Sequence, residues 1–258
     1  MVYNFKKIDA NVFKSQMDGL GREVKSYYTN DTDRVLVEPN SSYDGGKIYC
    51  NKNSWIKRGD IISISDNWYV VSNLSNLASD VFNVGTITLC DVFLTLKLGS
   101  FVYELPAVAS KYSGSSNVRG IIDDSVEGQL SFITGYHKEL DELDDNPYVV
   151  MFGKVWQIGN LMNVNNVLNV YCKGAEYAPK VQIGMSPIDL NPYVGDRIDV
   201  KFYLLNTTDK GEITYGTTDD TIAEFDHNGK VRFLRRGSVN ITATCNGILY
   251  ISPNITVK

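Results

Sequence analysis

The stretch EITYGTTDDTIAEFDHNGKVRFLRRGSVNITAT, residues 212–244, decides the fold class of the C-terminal part of the chain. Apolar and polar residues alternate in its short runs, as at 230–233 and 239–244. A period of two is typical of β-strands with one buried face. The turn at 226–229 ends in a glycine, which supplies the positive φ that a tight hairpin needs. Strands spaced about ten residues apart predict a β-sandwich.

Residues 181–258 resemble the bacterial immunoglobulin-like domain of group 2. Four pieces carry the resemblance in order: Pro192-Tyr193-Val194-Gly195-Asp196, Thr217-Thr218-Asp219-Asp220-Thr221-Ile222-Ala223-Glu224-Phe225, Asp226-His227-Asn228-Gly229-Lys230-Val231 and Arg236-Gly237-Ser238-Val239-Asn240-Ile241-Thr242-Ala243-Thr244. Tyr215 stands where the family usually has Trp, and we expect either ring to be buried in the core. The resemblance implies an immunoglobulin-like β-sandwich, a fold that by itself carries no catalytic machinery.

One helix is expected near the N-terminus. Asp9 is a suitable N-cap, and apolar residues follow it at helical spacing. These residues are Phe13, Met17, Leu20, Val24 and Tyr27. Gly19 and Gly21 weaken the helix, so we expect it to need a packing partner along this stripe.

From Arg34 onward the pattern is that of β-strands. Residues 61–64 and 68–71 flank the turn residues Ser65-Asp66-Asn67 and predict a β-hairpin. Residues 86–90 and 92–96 predict a longer strand pair. The small and polar segment 110–120 predicts a mobile surface loop.

A second hairpin, 148–151 with 155–158, resembles the first. Residues 68–74 align with residues 155–161 in sequence, and each run ends in a small residue followed by Asn-Leu. Further on, 87–90 corresponds to 168–172. The similarity has two explanations: an internal duplication of a β unit, or two hairpins of one sheet that are alike by chance.

The chain is therefore expected to be mainly β, with two domains. Residues 1–176 predict a β-barrel-like or β-sheet domain with one N-terminal helix, and 177–258 the immunoglobulin-like sandwich. Residues 175–179, with an Ala-Pro step, are the expected linker.

Residues 1–174 are similar to neck components of tailed-phage virions. Arg58-Gly59-Asp60-Ile61-Ile62 with Asn67-Trp68-Tyr69-Val70-Val71, and then Ile87-Thr88-Leu89-Cys90-Asp91-Val92-Phe93-Leu94, carry this similarity. Asp91 stands where the family has Asn, and Lys97 lies where an aromatic residue is common. The resemblance implies a head–tail connector or head-closure protein.

No catalytic, cofactor or metal site is expected, and the chain is not predicted to be an enzyme. Its two histidines, His137 and His227, have no nucleophile in a strained turn nearby. An acidic run could bind calcium but lacks the spacing of a known loop, so a solvated connector is favoured. That run consists of Glu139, Asp141, Glu142, Asp144 and Asp145. Trp68, Tyr69 and Trp156 are expected in the core.

The bulk composition bears on partners and compartment. The net charge of -5 and the short basic pairs Lys57-Arg58 and Arg235-Arg236 argue against nucleic-acid specificity. The start shows no signal-peptide pattern, and no apolar run of membrane-spanning length occurs. The cysteines, at positions 50, 90, 172 and 245, are expected to be buried free thiols in a reducing compartment.

We expect a structural virion protein that assembles in the host cytoplasm as a homo-oligomeric ring. Its partners would be further copies of itself, neighbouring portal, adaptor or tail proteins, and bacterial surface glycans bound weakly by an outward-projecting C-terminal domain. The hairpin tips and the 110–120 loop are the expected contacts. Two alternatives stay open: a tail-tube subunit, and a cell-surface glycan-binding module.

Overall fold

A computed structural model describes residues 9–29, 31–42, 44–76, 79–113, 116–118, 129–143, 147–175, 177–227 and 229–258. Strands make up 57% of the chain and helical segments 7%, which confirms a mainly β fold with a helix at the N-terminus. The described residues form a closed barrel, a second large sheet, and a set of small sandwich-like sheets.

Helix α1 spans Ala10–Leu20 and begins at the expected cap. The Asp9 carboxylate accepts a hydrogen bond of 3.1 Å from a backbone N–H of the first turn. Phe13 and Met17 are buried, and the Phe13 ring stacks on Phe82 with 4.9 Å between ring centroids. The helix therefore has the packing partner that its glycines made necessary.

The predicted apolar stripe is wrong beyond Met17. The helix ends at Leu20, whose side chain is 73% exposed, and Gly21 is already extended. Val24 lies in the first strand and Tyr27 follows that strand. An apolar residue of a strand can fall by chance at helical spacing from the preceding helix. The spacing of apolar residues alone therefore did not show where the helix ends and the strand begins.

The first sheet is a six-stranded closed barrel. Its strands are β1 (Arg22–Ser26), β2 (Thr32–Pro39), β3 (Gly45–Asn51), β4 (Ile61–Ile64), β5 (Asn67–Ser75) and β6 (Phe82–Leu89). They lie in the order β1-β2-β3-β6-β5-β4, and β1 pairs with β4 to close the barrel. The interior holds Val24, Val35, Ile48, Cys50, Ile56, Ile62, Ile64, Val71 and Ile87.

The first predicted hairpin is confirmed. Strands β4 and β5 pair antiparallel with Ile64 opposite Asn67, so the loop has only Ser65 and Asp66. Both loop residues have positive φ, 49° and 66°. Positive φ at both central residues belongs to the turn type whose twist matches that of the strands it joins.

The second sheet follows directly in the chain. It contains β7 (Val92–Leu98), β8 (Phe101–Ser113), β9 (Ser116–Val118), β10 (Gln129–Gly135), β11 (Tyr148–Met151), β12 (Lys154–Val164) and β13 (Val167–Gly174). A 3₁₀ helix, Lys138–Glu142, precedes β11. The strand order is β11-β12-β13-β10-β8-β7, with β9 paired to β8.

The predicted pairing of 86–90 with 92–96 is wrong, although both segments are strands. Strand β6 pairs with β3 and β5, whereas β7 pairs with β8. The chain leaves the barrel at Asp91, whose N–H donates to Ala107 O (3.0 Å) and whose carboxylate accepts from Ala109 N–H (2.7 Å). Asp91 thus ties the connection to the second sheet.

Much of the segment expected as a loop at 110–120 is strand. Strand β8 continues through Ser113 and pairs with β9, with residue 113 opposite residue 116. Residues 114–115 and 119–120 lie outside the described residues. Small polar residues favour turns, but a hairpin also uses them where backbone pairing does not depend on apolar side chains.

The barrel and the second sheet have the same strand order. Strands β1, β2, β3, β4, β5 and β6 correspond in turn to β7, β8, β10, β11, β12 and β13. The second hairpin, β11–β12, also has a two-residue turn with positive φ, at Phe152 and Gly153. This agreement extends well beyond the two hairpins that the sequence aligned.

The registers can be compared outward from the shared hairpin. Val71 lies opposite Ile87 and Ile158 lies opposite Cys172, so Ile87 corresponds to Cys172 and the expected correspondence of 87–90 with 168–172 is wrong. In the barrel, Leu74, Gly85, Ile48 and Val37 lie side by side on four neighbouring strands. The row of equivalent positions in the second sheet runs Leu161, Val170, Phe132 and Ala109. The likeness therefore extends from two hairpins to six strands in each unit, as an internal duplication predicts. The duplication itself stays a prediction.

The C-terminal residues form small paired sheets around one core. The strands are β14 (Gln182–Met185), β15 (Arg197–Asp199), β16 (Phe202–Leu205), β17 (Thr214–Thr217), β18 (Ala223–Phe225), β19 (Lys230–Phe233), β20 (Gly237–Val239), β21 (Ile241–Cys245), β22 (Ile248–Ile251) and β23 (Ile255–Val257). The sheets are β14-β16, β15-β19-β18, β17-β21-β22 and β20-β23.

The predicted inward alternation is found in this core. Ala223, Val239, Ile241 and Ala243 are buried, and Gly229 has a φ of 78°. Tyr215 departs from the expectation of a buried aromatic, because 48% of it is exposed. Its ring covers the rim of the core, with centroids 4.5 Å from Phe225 and 5.4 Å from Phe202.

The C-terminal unit is docked on the β7–β8 hairpin, so it is attached by side-chain contacts as well as by the covalent connection through the expected linker, 175–179. Phe101 packs against the C-terminal core. Val102 is buried and lies against Gly184, where a Cβ atom would overlap its side chain. Tyr250 donates a hydrogen bond to Ser100 O (3.3 Å). Apolar contact at the hairpin tip therefore holds the two units together.

Candidate functional site

The two histidines lie in different units. His227 is exposed in the turn before β19. His137 precedes the 3₁₀ helix, where its ring stacks on Tyr28 with 4.2 Å between centroids and its Nδ1 pairs with the Glu139 carboxylate. Burial lowers the pKa of His137, and the neighbouring Glu139 opposes that shift. The contacts of the His137 ring are thus with an aromatic ring and a carboxylate.

The acidic run is only partly described. Residues 138–142 form the 3₁₀ helix, and the Asp141 carboxylate accepts a 2.7 Å hydrogen bond from the Tyr136 hydroxyl. Glu139 is engaged with His137. Asp144 and Asp145 lie outside the described residues. Within the described part of the chain, no group of three His, Cys, Asp or Glu side chains could hold a metal ion.

The cysteines are free thiols, as predicted. Cys50, Cys172 and Cys245 are buried and Cys90 is half-buried. Burial raises the pKa of Cys50 to about 11 and those of Cys90 and Cys172 to about 12. Thiolate is the nucleophilic form, so such thiols are poor nucleophiles at neutral pH and act as core residues.

A cleft of about 450 Å³ lies where the three β units meet. Its walls come from the segment after β1, from β8 and from the start of the C-terminal unit. The lining includes Tyr27, Tyr28, Tyr103, Glu104, His137 and Tyr203. Aromatic rings next to carboxylate and hydroxyl groups can pack against apolar groups and hydrogen-bond at the same time.

Glu104 joins the three units at this cleft. Its backbone carbonyl accepts a hydrogen bond from the Tyr27 hydroxyl. Its carboxylate Oε2 accepts from the Tyr203 hydroxyl at 3.1 Å and lies 3.4 Å from Lys201 Nζ. Burial, followed by the charge of Glu104, raises the pKa of Tyr27 to about 12 and also raises that of Tyr203. Both hydroxyls therefore remain neutral donors.

The aromatic residues expected in the core are divided between two roles. Trp156 is buried, and its indole N–H donates to Met151 O at 3.0 Å. Trp68 and Tyr69 are half-buried. Trp68 meets Tyr27 edge-on with 5.0 Å between centroids, so it supports the junction rather than the barrel interior.

A second cleft, of about 430 Å³, opens at one end of the barrel. Lys52, Lys57 and Arg58 converge there with Leu74, Asn76 and Asn83. The sequence drew attention to Lys57-Arg58 only as a pair too short to form a basic patch. Lys52 directly follows β3 and Asn83 lies in β6, so the cluster depends on the pairing of β3 with β6.

Two of the hairpin tips expected as external contacts are used inside the chain. The β7–β8 tip packs against the C-terminal unit. At the β12–β13 tip, Asn166 O accepts a hydrogen bond from Tyr136 N–H at 2.8 Å. Asn166 also lies against Gly59 of the first unit, so this tip contacts the barrel. The tips at Ser65-Asp66 and Phe152-Gly153 are exposed.

The sequence does not predict either the cleft at Glu104 or the cleft at Arg58. Tyr27, Glu104 and Tyr203 are far apart in the chain, and each fits an ordinary strand or turn pattern. No local signal marks them, because the junction exists only after the units dock.

No protein-family model matches the chain, and a search of curated proteins finds no match. Over the residues that the structure describes, no helix has the length and apolar character to cross a membrane.

Proposed function

We propose that this chain is a structural protein of a tailed-bacteriophage virion that assembles into an oligomeric ring at the head–tail neck. The observation that carries the proposal is the joining of three β units through side-chain contacts at Phe101, Val102 and Glu104. A subunit of an assembly must hold its parts in a defined arrangement to meet its neighbours, and these contacts provide that arrangement. The assignment to a virion rests on the motifs of residues 1–174, which resemble those of neck components.

Ring assembly requires each subunit to offer two different faces. The second sheet exposes Phe152, Met162 and Val164, and the C-terminal unit exposes Leu249 and Ile251. These apolar groups lie in separate units and are candidates for the two faces. In this proposal the remaining partners are portal, adaptor or tail proteins at the ring's ends.

The C-terminal sandwich is proposed to be the immunoglobulin-like domain that its motifs resemble. Docked on the β7–β8 hairpin, it would project from the ring at a fixed angle. Weak adhesion to bacterial surface glycans is its proposed role. A glycan array with the full chain tests this role, and absence of binding would remove it without affecting the neck proposal.

Electron microscopy of the purified full chain tests the assembly. Discrete closed rings are expected. Long tubes would replace the neck role with that of a tail-tube subunit, and particles that stay monomeric at high concentration would contradict both. The variant Phe152→Asp with Met162→Asp should abolish rings, because it places charge in an apolar contact.

The matched control is Val12→Asp, which changes an exposed apolar residue on helix α1. It should leave the rings intact. Far-UV circular dichroism confirms that each variant is folded, so that loss of rings reports on contact between subunits.

A further inference from the structure

The second cleft, at the end of the barrel, has the composition of a binding site. Lys52 follows β3, Asn76 follows β5, and Asn83 lies in β6. Lys57 and Arg58 belong to the connection from β3 to β4. Leu74 provides one apolar wall. None of the described residues that line the cleft is acidic, in a chain whose net charge is -5.

Polar atoms at this cleft lack partners. The Arg58 Nε and the Asn83 Oδ1 are buried, and neither has a hydrogen-bond partner among the described residues. Asn83 is only 6% exposed. Its amide nitrogen faces two carbonyls, Asn51 O at 3.4 Å and Lys52 O at 3.5 Å, which directs Oδ1 away from them. Buried polar groups are nearly always paired with protein or water, so these two atoms are available to a molecule that enters the cleft.

Two acids contact the β3–β4 connection, Asp60 and Asp33. Asp60 accepts a 2.7 Å hydrogen bond from Lys57 N–H. Burial raises the pKa of Asp60, and this hydrogen bond and the Lys57 charge oppose that shift. Asp33 is engaged by the Ser54 hydroxyl. Lys52 Nζ donates to Asn76 O, a neutral group. Lys52 and Arg58 therefore keep their positive charges available to an anion.

We propose that this cleft binds the phosphoryl group of a small hydroxylated molecule, such as a polyol or sugar phosphate. Phosphoryl oxygens are acceptors for the Arg58 guanidinium and the Lys52 ammonium group. The volume of about 430 Å³ exceeds the need of phosphate alone and leaves room for the carbon skeleton against Leu74. A hydroxyl group of that skeleton donates to Asn83 Oδ1. The site is independent of the virion role.

Calorimetric titration of the full chain tests the proposal with four probes: glycerol 3-phosphate, inorganic phosphate, glycerol and duplex DNA. Both phosphates are expected to bind saturably at one site, with glycerol 3-phosphate tighter, and glycerol is expected not to bind. No saturable binding of either phosphate at tens of millimolar would overturn the site. Binding of DNA without the small phosphates would also overturn it, in favour of a general basic surface.

Variants locate the binding. Arg58→Gln should weaken both phosphates by roughly tenfold or more, because it removes a charge-assisted donor. Arg236→Gln, at an exposed arginine of the C-terminal unit, is the matched control and should change nothing. Asn83→Ala should remove the preference for glycerol 3-phosphate over phosphate. Equal affinities in Arg58→Gln and the parent chain would refute the assignment.

The tryptophans give a second readout within the same molecule. Trp55 lies in the β3–β4 connection beside the cleft residues, whereas Trp68 and Trp156 lie elsewhere. With 5-fluorotryptophan incorporated, the ¹⁹F resonance of Trp55 should move saturably with glycerol 3-phosphate. Movement of only the other two resonances would place the ligand outside this cleft.

Discussion

Ser72 and Gly159 occupy the same place in two different sheets. Ser72 interrupts the register of β5 with β6, and Gly159 interrupts that of β12 with β13. A β-bulge bends its strand and increases the local twist, so its position helps to shape the sheet. The shared bulge, turn and strand order indicate that one structural unit occurs twice in the chain.

Equivalent core positions should respond alike to truncation. Ile48 and Phe132 occupy matching places and are buried. Ile48→Ala should lower the free energy of unfolding by about 2–5 kcal/mol and Phe132→Ala by about 3–5 kcal/mol, because each leaves a cavity. Denaturant unfolding measures both. Val12→Ala, on the exposed side of helix α1, is the control. A loss below 1 kcal/mol at either site would contradict its place in a packed core.

Docking of the C-terminal unit should be sensitive to Gly184. A Cβ atom there would overlap Val102, so Gly184→Ala should cost about 1–3 kcal/mol. Thermal unfolding and limited proteolysis measure the loss. Gly174→Ala is the control, because a Cβ atom at Gly174 would meet nothing within 4 Å.

The pair can be tested as a cycle. Val102→Ala removes the overlapping methyl group, so adding it to Gly184→Ala should cost less than the two single changes together. A coupling of about 0.5–3 kcal/mol is expected for residues in contact. Strictly additive costs would show that Gly184 and Val102 do not touch.

Alkaline pH should destabilise the junction between the units. The pKa of Tyr27 is raised to about 12 in the folded chain, against about 10 when unfolded. The stabilisation that depends on the neutral Tyr27 hydroxyl is therefore fully present below pH 10 and is lost as the pH rises towards 12. The reason is that Tyr27 loses its hydroxyl proton at lower pH in the unfolded chain than in the folded one. Thermal unfolding from pH 8 to 12 measures the loss.

Tyr27→Phe isolates the contribution of that hydroxyl. At pH 8 the variant should be less stable by about 1 kcal/mol, because the hydrogen bond to Glu104 is missing. Its alkaline loss should be smaller than that of the parent chain. Tyr177→Phe, at an exposed tyrosine, should follow the parent curve. Identical alkaline losses in all three proteins would exclude Tyr27 as a source.

The thiols should be inert in the native chain. At pH 8, a thiol reagent such as DTNB should label the native protein slowly and all 4 cysteines rapidly in guanidinium. Burial suppresses both access and thiolate formation. The half-buried Cys90 should react first. Rapid labelling of the native chain, or fewer labels after unfolding, would contradict the free, buried assignment.

The sequence predicted local elements well where period and turn chemistry agree. The β4–β5 hairpin was predictable because Ser65 and Asp66 separate two runs rich in β-branched and aromatic residues. The Asp9 cap was predictable for a similar reason. In the C-terminal unit, the alternation of Val239, Ile241 and Ala243 marked the buried face. Each of these signals acts over a few residues.

Pairings over long distances were not predictable in the same way. Strands β6 and β7 follow each other closely, yet the Asp91 connection sends them into different sheets. Phe101 alternates like any strand residue, but it packs in the core of another unit. The clefts around Glu104 and Arg58 also assemble from separate strands. Their positions follow from docking and register, which alternation along one strand does not specify.

The β7–β8 hairpin has its base in one core and its tip in another. Leu94 and Leu105 are buried in the second sheet, while Phe101 packs in the C-terminal unit. A force that pulls the C-terminal unit away must first draw this ring out of apolar surroundings. Tension therefore passes through packed side chains as well as through the covalent connection. Under load, we expect the second sheet and the C-terminal unit to move together until the Phe101 ring leaves its packing contacts.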